Sequence, residues 1–89
     1  MKTLIYSSQY KKDFKRYKNQ PEKLNKLLEV LTMLAKGEQL PEQMRPHLLT
    51  GNYRGCMECH IMGDFLLIWI DQTEETIYLL RLGSHSELF

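Results

Sequence analysis

The last nine residues combine side chains that could act on a substrate containing a phosphate and a base. They run from Arg81 to Phe89 with the sequence RLGSHSELF, beginning inside a predicted strand that ends at the glycine. A guanidinium binds phosphate oxygens, the imidazole of His85 transfers protons near neutral pH, and an aromatic ring stacks on a base. The alternative is that these residues are only the frayed end of a small domain.

A second group of polar side chains lies at a predicted turn between two strands. His60 ends one strand and Asp64 follows across the turn, so an imidazole and a carboxylate could handle protons there. If the three C-terminal strands pair in full, Arg81 approaches His60 across the sheet. His47 and His85 lie on predicted loops, where histidines are commonly solvated. The absence of histidine from residues 1–36 leaves a shared site in the rest of the chain as the alternative.

Residues 56–60, with the sequence CMECH, match the attachment motif of c-type haem. In a strand, however, positions three apart point to opposite faces, so Cys56 and Cys59 cannot hold one ligand together. We therefore expect no haem, no metal and no other cofactor. The same alternation predicts one strand face that carries Arg54, Cys56, Glu58 and His60; its other interpretation is an ordinary solvent-facing surface.

Two helices and an N-terminal strand are predicted before these residues. Lys2–Tyr6 is typical of a strand, and Ser7 or Ser8 can cap a helix whose apolar positions are Tyr10, Phe14 and Tyr17. Pro21 then suits the first position of a second helix, and Gly37 ends it. The apolar stripe of that helix consists of Leu24, Leu27, Leu28, Leu31, Leu34 and Ala35.

The rest of the chain predicts a loop followed by a sheet. Residues 38–52 contain two prolines and a glycine without clear periodicity, and they carry His47. Three strands follow, over Tyr53–Ile61, Phe65–Asp71 and Thr76–Leu82, with short turns between them. We expect an α+β fold, in which the N-terminal strand and an antiparallel helix hairpin pack on one face of a small, mostly antiparallel sheet.

Length and charge limit the classes of protein that this chain can belong to. Eighty-nine residues are enough for one domain, residues 1–89, and too few for two. Residues 1–36 hold nine Lys and Arg against three Asp and Glu, whereas residues 37–89 hold three against eight. The basic part could bind a polyanion or simply be a solvated helix surface. No apolar run is long enough to span a membrane or to form a signal peptide, so we expect a cytoplasmic protein.

Several segments together carry a resemblance to a known family. They are YSSQYKKD at residues 6–13, KLNKLL at 23–28, PHLLTGNYRG at 46–55, ECH at 58–60, DFLLIW at 64–69 and the C-terminal RLGSHSELF. In this order and spacing they cover almost the whole chain. The chain resembles the RelE/ParE superfamily of bacterial toxins and, within it, the YafQ-type messenger-RNA endoribonucleases.

The resemblance implies a toxin of a type II toxin–antitoxin pair that cuts mRNA, typically in the ribosomal A site. It also implies a cognate antitoxin as partner, and contacts with 16S and 23S ribosomal RNA. The family's catalytic residues fall on His47, His60, Asp64, Arg81 and His85 and its substrate-stacking aromatic residue on Phe89, while Arg54 and the basic residues Lys11, Lys12 and Lys15 would bind substrate or ribosomal RNA. Related toxins often have Asp-Trp after the turn, where this chain has Asp64-Phe65.

The expected reaction is metal-independent: the ribose 2′-OH attacks the adjacent phosphate and leaves a 2′,3′-cyclic phosphate and a 5′-OH. His85 would be the general acid and His60 or Asp64 the base, the other group orienting it. Arg81 would stabilise the phosphorane, and ending the chain at Gly83 would remove the nuclease but spare the fold. The alternatives are a ParE-like inhibitor of DNA gyrase and a non-catalytic module that only binds its antitoxin.

Overall fold

The computed structural model describes residues 1–89 and contains a five-stranded sheet with three helices. The strands are β1 (Thr3–Tyr6), β2 (His47–Leu48), β3 (Met57–Met62), β4 (Phe65–Asp71) and β5 (Thr76–Gly83), and the helices are α1 (Ser8–Lys15), α2 (Pro21–Lys36) and α3 (His85–Leu88). The spatial order is β1-β5-β4-β3-β2, with β1 parallel to β5 and every other pair antiparallel. The predicted α+β class and the β3–β4–β5 meander are confirmed.

Helix α2 begins and ends at the residues that the sequence indicates, and α1 begins there too, but α1 ends at Lys15, before Tyr17 of its predicted apolar stripe. The Ser7 side chain accepts a hydrogen bond from the backbone N–H of Tyr10, which caps α1. Pro21 occupies the first turn of α2, and Gly37 ends that helix at a φ of 74°. This left-handed conformation costs glycine little because it has no Cβ.

The main core lies between the two long helices and one face of the sheet. Its buried members include Tyr10 from α1, Tyr17 from the turn after α1, Leu27 and Val30 from α2, and Trp69 from β4. The predicted apolar stripe of α2 is wrong at one position, because Leu28 is 63% exposed. Val30, which the stripe omitted, is fully buried instead.

The other face of the sheet carries a smaller apolar cluster. It consists of Cys56, Leu66, Ile68 and Leu88, and the last of these belongs to α3. Cys59 belongs to the main core, so the two cysteines do lie on opposite faces. Burial raises the pKa of both thiols, that of Cys59 to about 12. Leu88 of α3 belongs to the same cluster as Leu66 and Ile68. Ending the chain at Gly83 would remove α3 and uncover these two side chains, which argues against the expectation that the truncation spares the fold.

The segment before β3 differs from its prediction. Residues 38–52 are not all loop: the short strand β2 pairs with β3, and single 3₁₀ turns occur at Glu42–Met44 and Gly51–Tyr53. The strand predicted from Tyr53 begins only at Met57, because the chain first turns at Gly55, with a φ of 88°. No helix of the structure is both long and apolar enough to cross a membrane.

Candidate active site

The face of the sheet opposite the long helices brings most of the predicted site residues together. His47 pairs with Glu58, Glu58 with Ile68, and Ile68 with Arg81, which forms one row across four strands. Paired residues on neighbouring strands point to the same face of a sheet, so this row lies on one face. His60 lies two residues after Glu58 on β3, and it therefore points to that face as well. The predicted loop position of His47 is therefore wrong, since β2 attaches it to the sheet.

His85 is held by Asp64 through two hydrogen bonds. Oδ1 of Asp64 accepts from the backbone N–H of His85 at 3.0 Å and lies 2.7 Å from its ring Nδ1. These bonds, the backbone N–H first, hold the pKa of Asp64 below its usual value. Because a carboxylate only accepts, Nδ1 carries a proton and Nε2 stays available for proton transfer. The predicted Asp64–His60 pair does not form, because Asp64 binds His85 instead.

Glu58 is a site residue that sequence reasoning placed on the correct face but gave no role. Its side chain is buried, and Oε1 lies 3.2 Å from Nε2 of His47 and 4.0 Å from Nε2 of His60. Oε2 has no hydrogen-bond partner. The signal available in the sequence was the spacing of Glu58 and His60, which share a face of one strand.

Three imidazoles line an open polar pocket of about 570 Å³. The ring centroid of His60 lies 6.4 Å from that of His47 and 5.7 Å from that of His85. Nδ1 of His47 lies 2.6 Å from the carbonyl oxygen of Arg45, a residue held in the left-handed region at a φ of 51°. Pro46 and Glu58 complete the lining, in which Pro46 is the one apolar side chain. The pocket thus suits a charged substrate that exchanges protons with imidazoles.

Arg81 lies in the predicted place but is already paired. Its Nε and one Nη donate to the two carboxylate oxygens of Asp13 at 2.8 and 3.3 Å, and the other Nη donates to the hydroxyl of Tyr53. Asp13 is fully buried, and its Oδ2 also accepts a hydrogen bond from the backbone N–H of Leu82 in β5. The bonds to Asp13 raise the pKa of Arg81. The predicted approach of Arg81 to His60 is replaced by this ion pair with α1.

Several hydrogen bonds hold the C-terminal helix α3 in place. The Ser84 side chain and the Glu87 carboxylate form a capping box, and Tyr17 donates a hydrogen bond to Glu87. The Tyr53 hydroxyl donates to the carbonyl of Leu88. A Cβ at Gly83 would lie 2.8 Å from the Glu87 carboxylate, so a larger residue there would displace the cap. The terminus that carries His85 is therefore ordered rather than frayed.

Phe89 remains accessible beside this helix. It is 60% exposed, its ring centroid lies 5.8 Å from that of His85, and Tyr53 packs edge-on against it at 5.3 Å. Its ring can therefore contact a base bound near the pocket.

The predicted basic substrate contacts do not line the histidine pocket. Arg54 is exposed after the second 3₁₀ turn, and Lys12 is exposed on α1. Lys11 and Lys15 instead border a separate apolar groove of about 690 Å³ between α1 and α2. Exposed apolar side chains in that groove are Tyr6, Phe14 and Leu28.

Comparison with known proteins gives consistent matches over the whole chain. The family model for the bacterial toxin YafQ of type II toxin–antitoxin systems matches residues 2–89. The mRNA interferase toxin YafQ of Escherichia coli K12 is 33% identical over 85 residues, which cover 94% of this chain and 91% of that protein.

Solved structures agree with this family match. A metal-bound toxin from Helicobacter pylori is 37% identical, with full coverage of both chains and a TM-score of 0.88. A chain of the E. coli DinJ–YafQ complex is 29% identical, with coverage of 100% of this chain and 99% of that one and a TM-score of 0.86.

Proposed function

The chain belongs to the YafQ family of toxins of type II toxin–antitoxin systems, and from this premise we propose that it cleaves mRNA as an endoribonuclease. The observation that carries the proposal is the His85 ring, held by Asp64 at the edge of a polar pocket that also contains His60 and His47. The YafQ relatives are described as mRNA interferases, and the family match favours this activity over gyrase inhibition.

Two imidazoles can supply the proton transfers of a transesterification. A base removes the proton of the ribose 2′-OH, O2′ attacks the phosphorus, and the 5′ oxygen leaves with a proton from an acid. The products are a 2′,3′-cyclic phosphate and a 5′-OH, and DNA lacks the attacking hydroxyl. Each proton transfer contributes roughly 10²–10⁴-fold to the rate.

His85 suits the role of general acid. The Asp64 carboxylate accepts from Nδ1 and stabilises the imidazolium, so Nε2 can hold the proton that the leaving 5′ oxygen needs. His60 suits the role of base better than Asp64 does, because its ring makes no hydrogen bond within the protein. Asp64 is engaged by His85, and its lowered pKa makes it a weak base.

Positive charge at the phosphate would come from Arg81. Arg81 retains N–H groups beyond those that bind Asp13 and Tyr53, and its side chain is 20% exposed. His47, whose Nε2 lies 3.2 Å from Oε1 of Glu58, would help to position the substrate. Phe89 would stack on a neighbouring base, a contact worth about 1–3 kcal/mol.

The basic residues of α1, Lys11, Lys12 and Lys15, would contact ribosomal RNA together with Arg54. Contacts of this kind release counterions, so binding to the ribosome should weaken as the salt concentration rises. Ribosome binding that is insensitive to salt would contradict this part of the proposal.

The natural partner would be an antitoxin, as DinJ is for YafQ in the E. coli complex. We place its docking segment in the groove between α1 and α2, which exposes Phe14 and Leu28 beside Lys11 and Lys15. Such a groove fits a helix with an apolar face flanked by acidic side chains. Since the groove is lined by other residues than the histidine pocket, an antitoxin bound there need not contact the catalytic side chains.

The deciding experiment maps RNA cleavage by the wild-type protein and by the His85→Ala variant, on free RNA and on translating ribosomes. We expect the variant to fold, because the His85 side chain is more than half exposed, and to lose cleavage by about 10²–10⁴-fold. Products should carry a 2′,3′-cyclic phosphate in the presence of chelator. Cleavage by the variant at the wild-type rate would refute the assignment, and inhibition of gyrase without cleavage would favour the ParE-like alternative.

A further inference from the structure

The hydroxyl of Tyr53 joins the residue proposed to hold the phosphate to the residue proposed to stack on a base. It accepts a hydrogen bond from a terminal nitrogen of Arg81 at 3.2 Å and donates one to the backbone carbonyl of Leu88 at 2.9 Å. Leu88 directly precedes Phe89, whose ring is exposed. We propose that Tyr53 is a positioning residue that holds the phosphate subsite at Arg81 and the base subsite at Phe89 at one fixed separation; this role rests on the nuclease function proposed above.

One hydroxyl can make both of these bonds at the same time. A phenol has one O–H donor and lone pairs that accept, whereas a guanidinium only donates, so the two partners do not compete. Among the side chains of this structure, Tyr53 alone forms hydrogen bonds with both Arg81 and α3. Phenylalanine in its place would keep the ring and lose both bonds.

The ring of Tyr53 is itself held in place, which makes its hydroxyl a fixed point. Tyr53 ends the 3₁₀ turn at Gly51–Tyr53, and its carbonyl accepts the backbone N–H of Cys56 at 2.9 Å. The ring packs against the smaller apolar cluster, to which Cys56 belongs. It also meets the ring of Phe89 edge-on, with the two planes at 79°. Such edge-to-face packing orients both rings.

The remaining contacts of the two subsites do not depend on this hydroxyl. Asp13 accepts two hydrogen bonds from Arg81 and keeps the guanidinium in place from the side of α1. The start of α3 is held by Asp64 at His85. Removing the hydroxyl therefore leaves these groups where they are and frees only the last turn of α3, with Phe89, relative to the phosphate subsite.

A fixed separation of the subsites acts on the cleavage step. An RNA bound at both subsites is constrained at two points, so its 2′-OH has fewer ways to miss the in-line approach to phosphorus. Misplacement of reacting groups by about 1 Å can cost roughly 10²-fold in rate. The guanidinium and the stacking ring are both still present without the hydroxyl, so binding should change far less than the rate.

Single-turnover cleavage with excess protein separates the rate constant at saturation from the half-saturating concentration. On the free or ribosome-bound RNA that the wild type cleaves, we expect Tyr53→Phe to lower the saturating rate by about 10–100-fold and the half-saturating concentration to change far less. Tyr78→Phe is the matched control, because its hydroxyl on β5 makes no hydrogen bond, and it should cleave as the wild type does. Unfolded protein would raise the half-saturating concentration instead, so a purely structural role predicts the opposite split. An unchanged saturating rate for Tyr53→Phe would overturn the positioning role.

A double-mutant cycle with Phe89→Leu tests the link to the stacking residue. Without the ring of Phe89 no stacked base remains to be aligned, so adding Tyr53→Phe to Phe89→Leu should lower the saturating rate by no more than about 2-fold, the accuracy of such cycles. An equal loss from Tyr53→Phe in both backgrounds would show that the hydroxyl acts without Phe89 and would overturn the proposal. A wild-type protein that cleaves no RNA would contradict the nuclease function and this role together, whereas an active wild type with an equally active Tyr53→Phe would contradict this role alone.

Discussion

Oδ1 of Asp64 accepts hydrogen bonds from both the backbone N–H and the ring Nδ1 of His85. One carboxylate oxygen from the β3–β4 turn therefore fixes the start of α3 and the tautomer of its histidine together. The two residues are 21 positions apart in the chain, and the antiparallel pairing of β4 with β5 brings them together. Of all the candidate roles, that of His85 is thus supported by the most direct geometry.

Asp64→Asn should keep the fold and lower cleavage at neutral pH by about 10–100-fold, because the imidazolium of His85 loses its counter-charge. The pKa of Asp64 is lowered in the folded protein. Its carboxylate is therefore fully charged at every pH above the ordinary pKa of an aspartate, and the charge is lost only as the pH falls through the lowered pKa. The wild-type profile should therefore show no loss due to Asp64 between about pH 5 and pH 8.

In the variant, cleavage should stay low across this pH range. The measurement is the single-turnover rate against pH for the wild type, Asp64→Asn and the control Asp71→Asn, which changes an exposed carboxylate at the far end of β4. Superimposable profiles for all three proteins would show that Asp64 does not support His85.

Asp13→Ala should be strongly destabilising. It leaves the Arg81 guanidinium and the backbone N–H of Leu82 without their buried acceptor, and breaking a buried pair from one side costs about 3–5 kcal/mol. Urea unfolding of the wild type and the variant measures the loss. The control Glu29→Ala, at an exposed helix position, should change the free energy of unfolding by no more than about 0.5 kcal/mol. A loss below 1 kcal/mol for Asp13→Ala would mean that the pair contributes little.

The sequence predicted what depends on local pattern. Strand alternation was sufficient to separate Cys56 from Cys59 and to put Glu58 and His60 on one face. Caps and turns set the limits of α1 and α2, because Ser7 and Gly37 act on their nearest neighbours in the chain. The structure brings His47, His60 and His85 to one pocket, and the catalytic roles of these residues remain proposals.

Contacts that depend on strand order could not be predicted. β1 lies next to β5, and this placement carries α1 and its Asp13 to Arg81, which is 68 positions away in sequence. No periodicity contains that information. Likewise, the contact between His47 and Glu58 follows from the pairing of β2 with β3, and β2 has only two residues. A segment so short has no recognisable strand pattern.

Tyr17→Phe should loosen the C-terminal helix. It removes the hydrogen bond to Glu87, which also caps α3, and should lower the free energy of unfolding by about 1 kcal/mol, since the acceptor is partly exposed. Burial and the bond to Glu87 raise the pKa of Tyr17 to about 12. The stabilisation is therefore complete below the ordinary value near 10 and is lost as the pH rises through about 12.

Thermal unfolding at pH 7 and at pH 11 compares the wild type with Tyr17→Phe and with the control Tyr78→Phe, whose hydroxyl makes no hydrogen bond. We expect a lower melting temperature for Tyr17→Phe at both pH values and little change for the control. Equal melting temperatures for all three would show that α3 does not depend on this contact.

Leu28→Glu should separate antitoxin binding from RNA cleavage. Leu28 is 63% exposed in the apolar groove between α1 and α2, so a carboxylate there would repel an acidic, apolar helix without disturbing the core. A central contact of an interface costs about 2 kcal/mol or more when lost, which corresponds to a Kd about 30-fold higher or more. Leu48→Glu is the matched control, because Leu48 is 68% exposed on β2 and lies outside the groove. Titration of each protein with its cognate antitoxin should show weaker binding only for Leu28→Glu, with cleavage unchanged in that variant; equal weakening by both variants would place the antitoxin elsewhere.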